Sequence, residues 1–179
     1  MSKPPLIPRD NSTDPAGEFA MDVPEQLFYL LFQIVRHRDA QFDAEIAPIG
    51  LSLAGWRTLA IVRRIGACSM KDLSRYSTID RTTLTRSVDQ LVEDGLIARR
   101  VPPTDRRLVV LSLTDVGEQL YDEAVRKLVV FNRRLLVGID ADAQRKLARV
   151  MEGVLCNLIP DPADATAVIR FGRDTSLER

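Results

Sequence analysis

Thr82, Thr83, Thr85 and Arg86 stand together within residues 82–86. Their side chains suit the surface of a nucleic-acid duplex. Hydroxyls bond phosphates or base edges, threonine methyls meet the thymine methyl, and a guanidinium bonds the acceptor edge of guanine in the major groove. A second group follows at once: residues 96–107 carry Arg99, Arg100, Arg106 and Arg107 against a single acid, Asp105. Such a locally positive segment is attracted to the phosphate backbone, and arginine at a hairpin tip can enter the minor groove. Asp105 can pair with a nearby arginine and hold its guanidinium in one direction, or it can simply close the turn.

Two further sets have chemical potential. His37, Arg38, Trp56 and Arg57 combine stacking with carboxylate pairing and suit a pocket for a phenolic acid or a related thioester, although Trp56 serves equally well as core and Arg57 as a surface group. Cys68 precedes a helix N-terminus whose dipole is expected to lower its pKa, while Cys156 reads as a small apolar residue in a late helix. The single histidine, with no metal-ligand cluster, no phosphate-cradling glycine loop and no nucleophile–base set, argues against an enzyme and implies no cofactor.

Positioning these residues is the task of the elements around them. Taking Leu84 as the centre of a buried helical face and stepping about 100° per residue turns Thr82, Arg86, Asp89 and Gln90 outward, with Thr83 and Thr85 on the flanks. Asp80 suits the N-cap of this helix and Gly95 its stop. Ser69 with Asp72 resembles a capping box for a short helix just before it, and residues 77 and 78 form the turn between them. Residues 96–101 and 108–113 are strand-like, and Pro102, Pro103, Thr104 and Asp105 supply the chemistry of the intervening turn.

On either side lie longer helical patterns. A first helix over residues 24–47 carries Phe28, Tyr29 and Phe32 outside a single apolar stripe, so its N-terminal half needs cover that a second subunit can supply. Ser52 caps a helix through residue 65, Thr114 caps one reaching about residue 137, and a last helix runs through Leu147, Val150, Val154 and Leu158 to a stop at Pro160 and Pro162. The expected fold is mainly α with a small β-hairpin wing. A winged helix-turn-helix lobe over 51–113 joins a helical dimerisation region over 21–50 and 114–160, with a flexible N-terminal arm over 1–20 and a C-terminal tail over 161–179.

The 25 basic and 25 acidic residues balance, so any basic surface is local and must come from the hairpin and its neighbours. Two cysteines are too few for a disulfide framework, and neither a signal peptide nor a membrane-spanning run is visible, which points to a cytoplasmic protein.

Residues 51–62 (LSLAGWRTLAIV), 77–100 (STIDRTTLTRSVDQLVEDGLIARR) and 104–117 (TDRRLVVLSLTDVG) resemble the second helix, the recognition helix with the first wing strand, and the wing with the following helix start of the MarR family. The resemblance extends over residues 27–158. It implies a homodimer whose first and last helices form the interface and whose two lobes meet a pseudo-palindromic double-stranded DNA operator about one turn, roughly 34 Å, apart. By position it makes Thr82, Thr83, Thr85 and Arg86 recognition-helix contacts, matches Asp105 and Arg107 to the wing-tip acid and arginine, and makes Arg106 a phosphate contact. It also implies an effector, a small aromatic or anionic ligand bound between the dimer helices and the DNA-binding lobe, whose arrival releases a repressor. Departures from the family pattern are Gly55, expected to enlarge a cavity beside Trp56, and Pro102-Pro103 in place of Asp-Pro. Two other functions use the same elements: thiol-based redox sensing through Cys68, and a winged helix that contacts proteins without binding DNA.

Overall fold

A computed structural model describes residues 23–102 and 109–173. The chain divides into two compact units, Met1–Gln41 and Phe42–Arg179. Helix α1 (Val23–Ile46) supplies the described part of the first unit and, from Phe42 onward, enters the second. The second unit then contains a 3-10 turn (Ala47–Ile49), α2 (Leu53–Ile65), α3 (Met70–Tyr76), α4 (Arg81–Glu93), strands β1 (Ile97–Arg100) and β2 (Val110–Leu113), α5 (Asp115–Leu135), α6 (Ala141–Leu158) and α7 (Pro162–Arg173).

Local chemistry sets these boundaries. Ser52 accepts from the Gly55 N–H at 3.1 Å, Thr114 from the Gly117 N–H at 3.0 Å, and Asp140 from the Ala143 N–H at 2.8 Å. Ser69 and Asp72 form the full reciprocal capping box. Each side chain satisfies an N–H that the first helical turn leaves without a partner. The two strands pair antiparallel with Ile97 opposite Leu113 and Arg100 opposite Val110. Cys68 adds a bridge to Leu111 on the other edge of β2, so the loop between α2 and α3 extends the hairpin sheet.

Helix α2 is the centre of the second unit. It packs against α3, α4, α5 and β2, and Thr58, Leu59 and Val62 on it are buried. An aromatic cluster closes one end of the core: Phe42 meets the edge of Trp56 at 5.9 Å and lies 5.3 Å from Phe131, while Tyr121 stacks on Trp56 at 5.4 Å and 15°.

Two expectations need correction. Residues 161–179 do not form a tail throughout, because Pro162–Arg173 is helical. Pro162 stands at the first helical position, where its missing N–H is no loss, and Asp161 accepts from the Ala163 N–H at 2.8 Å. The helix is held by Phe171, which stacks on Tyr76 of α3 at 4.3 Å and 12°, and by buried Ala165. Nor does Gly55 open space beside Trp56. A Cβ there would face Leu51 at 3.0 Å and Leu91 of α4 at 3.6 Å, so its small size serves the close packing of α2 on α4.

Gly117 lies closest to neighbouring backbone among the described glycines at which a Cβ would meet an atom. A Cβ on it would come within 2.1 Å of the Leu96 carbonyl oxygen, which also accepts from the Thr114 N–H at 3.1 Å. Gly117→Ala therefore forces the start of α5 away from β1. Urea unfolding should show a loss of about 1–3 kcal/mol, and an unchanged midpoint would mean that this junction is free to move.

Candidate nucleic-acid interface

Helix α4 is held from below and open above. Leu84, Val88 and Leu91 are 1%, 0% and 3% exposed, while Thr82, Arg86, Asp89 and Gln90 are exposed, as the helical spacing predicts. Its inner face carries one polar contact as well. The buried Thr58 hydroxyl of α2 lies 3.0 Å from the Ser87 hydroxyl and donates to the Ala54 carbonyl at 2.8 Å. This bond fixes the rotation of α4 about its own axis more narrowly than apolar packing alone, because hydrogen bonds are directional.

The threonines divide into two kinds. Thr83 donates its hydroxyl to Asp80 Oδ2 at 2.5 Å, and its N–H donates to Asp80 Oδ1 at 2.9 Å, so it completes the N-cap. These bonds hold the Asp80 carboxyl below the usual carboxylate range. Thr85 donates to the Arg81 carbonyl at 2.9 Å, a bond within the helix. Both hydroxyls keep lone pairs for an outside donor but have committed their protons. Thr82 and Arg86 carry no such commitment among the described residues.

The hairpin is tied to this helix by charge. Arg99 of β1 donates to Asp89 Oδ1 at 2.6 Å, joining the strand that leads into the wing to the outer face of α4. Sequence reasoning placed both residues in charged, exposed positions but did not pair them. Only the return of β1 past α4 brings them together. Arg100 is exposed. Asp105, Arg106 and Arg107 lie outside the described residues.

The second candidate set falls in both units. In the first, His37 is exposed and Arg38 is partly buried, 3.5 Å from Asp39. In the second, Trp56 is 8% exposed, with one face against Tyr121 and its ring edged by Phe42, and Arg57 is partly buried. Trp56 is thus a core residue of the second unit. Among the described residues no His, Cys, Asp and Glu group is arranged to hold a metal ion, and no single helix is long and apolar enough to cross a membrane.

Cys68 behaves opposite to expectation. It is 3% exposed, with its backbone bonded on both sides to Leu111. Burial, followed by the nearby Asp72 carboxylate, pushes its thiol up to about 11. Burial disfavours the thiolate and Asp72 adds a full negative charge, and both oppose the pull of the short helix that follows.

Comparison with known proteins places this geometry. The MarR family model matches residues 51–109. The HTH-type transcriptional repressor IacR of Pseudomonas putida is 30% identical over 134 residues, which cover 73% of this chain and 78% of that protein. A solved structure on the regulation of DNA binding of Bordetella bronchiseptica BpsR by 6-hydroxynicotinic acid is 26% identical, with a TM-score of 0.66, over 72% of this chain and 98% of that one. A mutant E. coli MarR in complex with operator DNA shares the fold, with a TM-score of 0.67 and 22% identity over 75% of this chain and 99% of that one.

The thiol carries a direct expectation. In a Cys156→Ser background, Cys68 should react with a thiol reagent about a hundredfold more slowly at pH 8 than an unperturbed thiol, since a shift from 9.0 to about 11 removes that share of the thiolate. The rate should rise about tenfold per pH unit until the raised pKa is reached and jump on unfolding. Fast modification of the folded protein at pH 8 would contradict the buried, protonated assignment.

Proposed function

The chain belongs to the MarR family of winged helix-turn-helix transcriptional regulators, and from that membership we propose that it is a homodimeric repressor, released from a pseudo-palindromic operator by a small aromatic acid. The observation that carries the DNA part of this proposal is the outer face of α4, where Thr82 and Arg86 stand exposed on a helix whose inner face is fully committed to the core. A rigidly seated helix whose exposed arginine has no partner among the described residues meets the geometric demand of base readout, which tolerates little play between side chain and base edge. In this proposal Arg86 reads a base edge, and Thr82, Thr83 and Thr85 add hydroxyl and methyl contacts. Arg106 and Arg107 engage the backbone and minor groove, with Asp105 orienting an arginine.

Repression is supported by the P. putida relative, which is named a repressor. Simple exclusion supplies the means, since a dimer seated on a promoter blocks polymerase. The effector class is supported by BpsR, whose DNA binding is described as regulated by 6-hydroxynicotinic acid. For a ligand to release the protein it must bind the form unsuited to the operator more tightly than the form that fits it.

The homodimer is supported by apolar side chains that stay exposed along the first and last long helices. On α1 these include Phe28 at 51% and Phe32 at 64%, and on α6 Val150 at 56% and Leu158 at 67%. So much exposed apolar surface on individual helices marks an interaction surface. Phe32→Glu or Val150→Glu should shift sedimentation from dimer toward monomer, and two variants that remain dimeric would remove these helices from the interface.

Recovery of genomic fragments bound by the protein tests the function as a whole. The expected result is an enriched palindrome, from which Arg86→Ala loses about 1–3 kcal/mol of discrimination. The same fragment should be released by an aromatic carboxylate such as 6-hydroxynicotinic acid or a related pathway acid. Absence of any enriched palindrome, or equal binding by Arg86→Ala, would count against the DNA-reading role.

A further inference from the structure

Helix α7 lies at the edge of a cleft of about 850 Å³ whose lining includes Lys71, Arg75, Arg81, Thr85, Arg99 and Asp164. Four of these are cations, contributed by α3, α4 and β1, and they gather beside the helix proposed to read DNA. Arg99 is held by Asp89. Arg75 is held by Asp164 of α7 through an ion pair. The two pairs differ in origin: Asp89 belongs to α4 itself, whereas Asp164 is brought to the cleft by a separate helix near the end of the described chain.

The Arg75–Asp164 pair is not what docks α7. Phe171 stacks on Tyr76, Arg64 lies 4.8 Å over the Phe171 ring and donates to the Phe171 carbonyl, Ala165 is buried, and Asp161 caps the helix. These contacts anchor α7 on α2 and α3 without the carboxylate of Asp164. The pair itself is half solvated, with side-chain exposures of 53% for Arg75 and 50% for Asp164. Solvent screening makes such a pair weak and exchangeable. A phosphodiester offers the same guanidinium two acceptor oxygens, which its planar fork can take together.

We propose that Asp164 sets operator affinity by competing with DNA: it occupies Arg75 in the free protein and yields it to a backbone phosphate when α4 enters the groove. The inference rests on the DNA-reading role of α4. Because α7 remains anchored through Phe171, the exchange requires a change of side-chain partner and no movement of the helix. Asp164 thereby lowers affinity for every duplex alike and leaves base selection to α4.

The test measures binding of the full chain to the recovered operator fragment over a range of salt, for the native protein, Asp164→Asn, Arg75→Gln and the double variant. Asp164→Asn should bind about fivefold tighter at low salt, the scale of one exposed pair, and steepen the salt slope by up to about 0.9. Its thermal unfolding should stay close to native. Arg75→Gln should weaken binding, and in that background Asp164→Asn should give no gain. Unchanged affinity and slope in Asp164→Asn, or a gain that persists without Arg75, would overturn the competition. Failure of the native protein to bind any duplex would overturn the parent proposal as well. Native binding that is lost in Arg86→Ala but indifferent to Asp164 would overturn this inference alone.

Discussion

The packing of α4 on α2 is the constraint from which the rest of the second unit follows. Leu84, Val88 and Leu91 are buried there, each worth about 2 kcal/mol of transfer from water. Thr58 and Ser87 add a directional bond in the middle of the contact. Gly55 lets the two helices approach, since a side chain there would press on Leu51 and crowd Leu91. With its inner face spent in this way, α4 has no freedom to roll, and the residues opposite are presented to solvent in one orientation. Presentation of Thr82 and Arg86 is therefore a consequence of core burial.

Charge distribution refines that scaffold. The chain is neutral overall, yet two of the cations around α3, α4 and β1 are set against particular acids: Arg99 against Asp89 and Arg75 against Asp164. Exposed pairs of this kind add little stability. Their effect is to direct guanidinium groups and to set how available they are to an incoming anion. In the same way Asp80 and Asp72 serve the first turns of α4 and α3, where a carboxylate meets unpaired N–H groups and a favourable dipole.

The helices outside the lobe obey a different balance. Helix α6 is amphipathic but contributes no fully buried residue within the chain, and α1 leaves Leu27, Phe28, Leu30 and Phe32 exposed. Their apolar residues are too large and too many to be left to water in a lone chain. The proposed dimer offers them the partner that the fold of a single chain does not.

Much of this was legible from residue order because it depends on near neighbours. The caps at Ser52, Ser69, Asp80 and Thr114 act over three residues, and the buried face of α4 follows from helical period alone. The resemblance in residues 77–100 identified the lobe for the same reason. The features that escaped depend on distant segments. Pro160 and Pro162 read as the end of all helical structure, yet Pro162 opens α7, which owes its place to Phe171 meeting Tyr76 across the fold. Cys68 stands before a helix N-terminus in the sequence, but the strand beside it, paired through Leu111, is what buries its thiol. The sequence by itself determined which residues cap, which face inward, and which helix presents threonine and arginine, since these are properties of local spacing. Tertiary structure alone decided that Arg99 meets Asp89, that Arg75 meets Asp164, and that Cys68 is buried against β2. Those outcomes are set by the distance and burial of groups far apart in the chain, and no local pattern encodes either quantity.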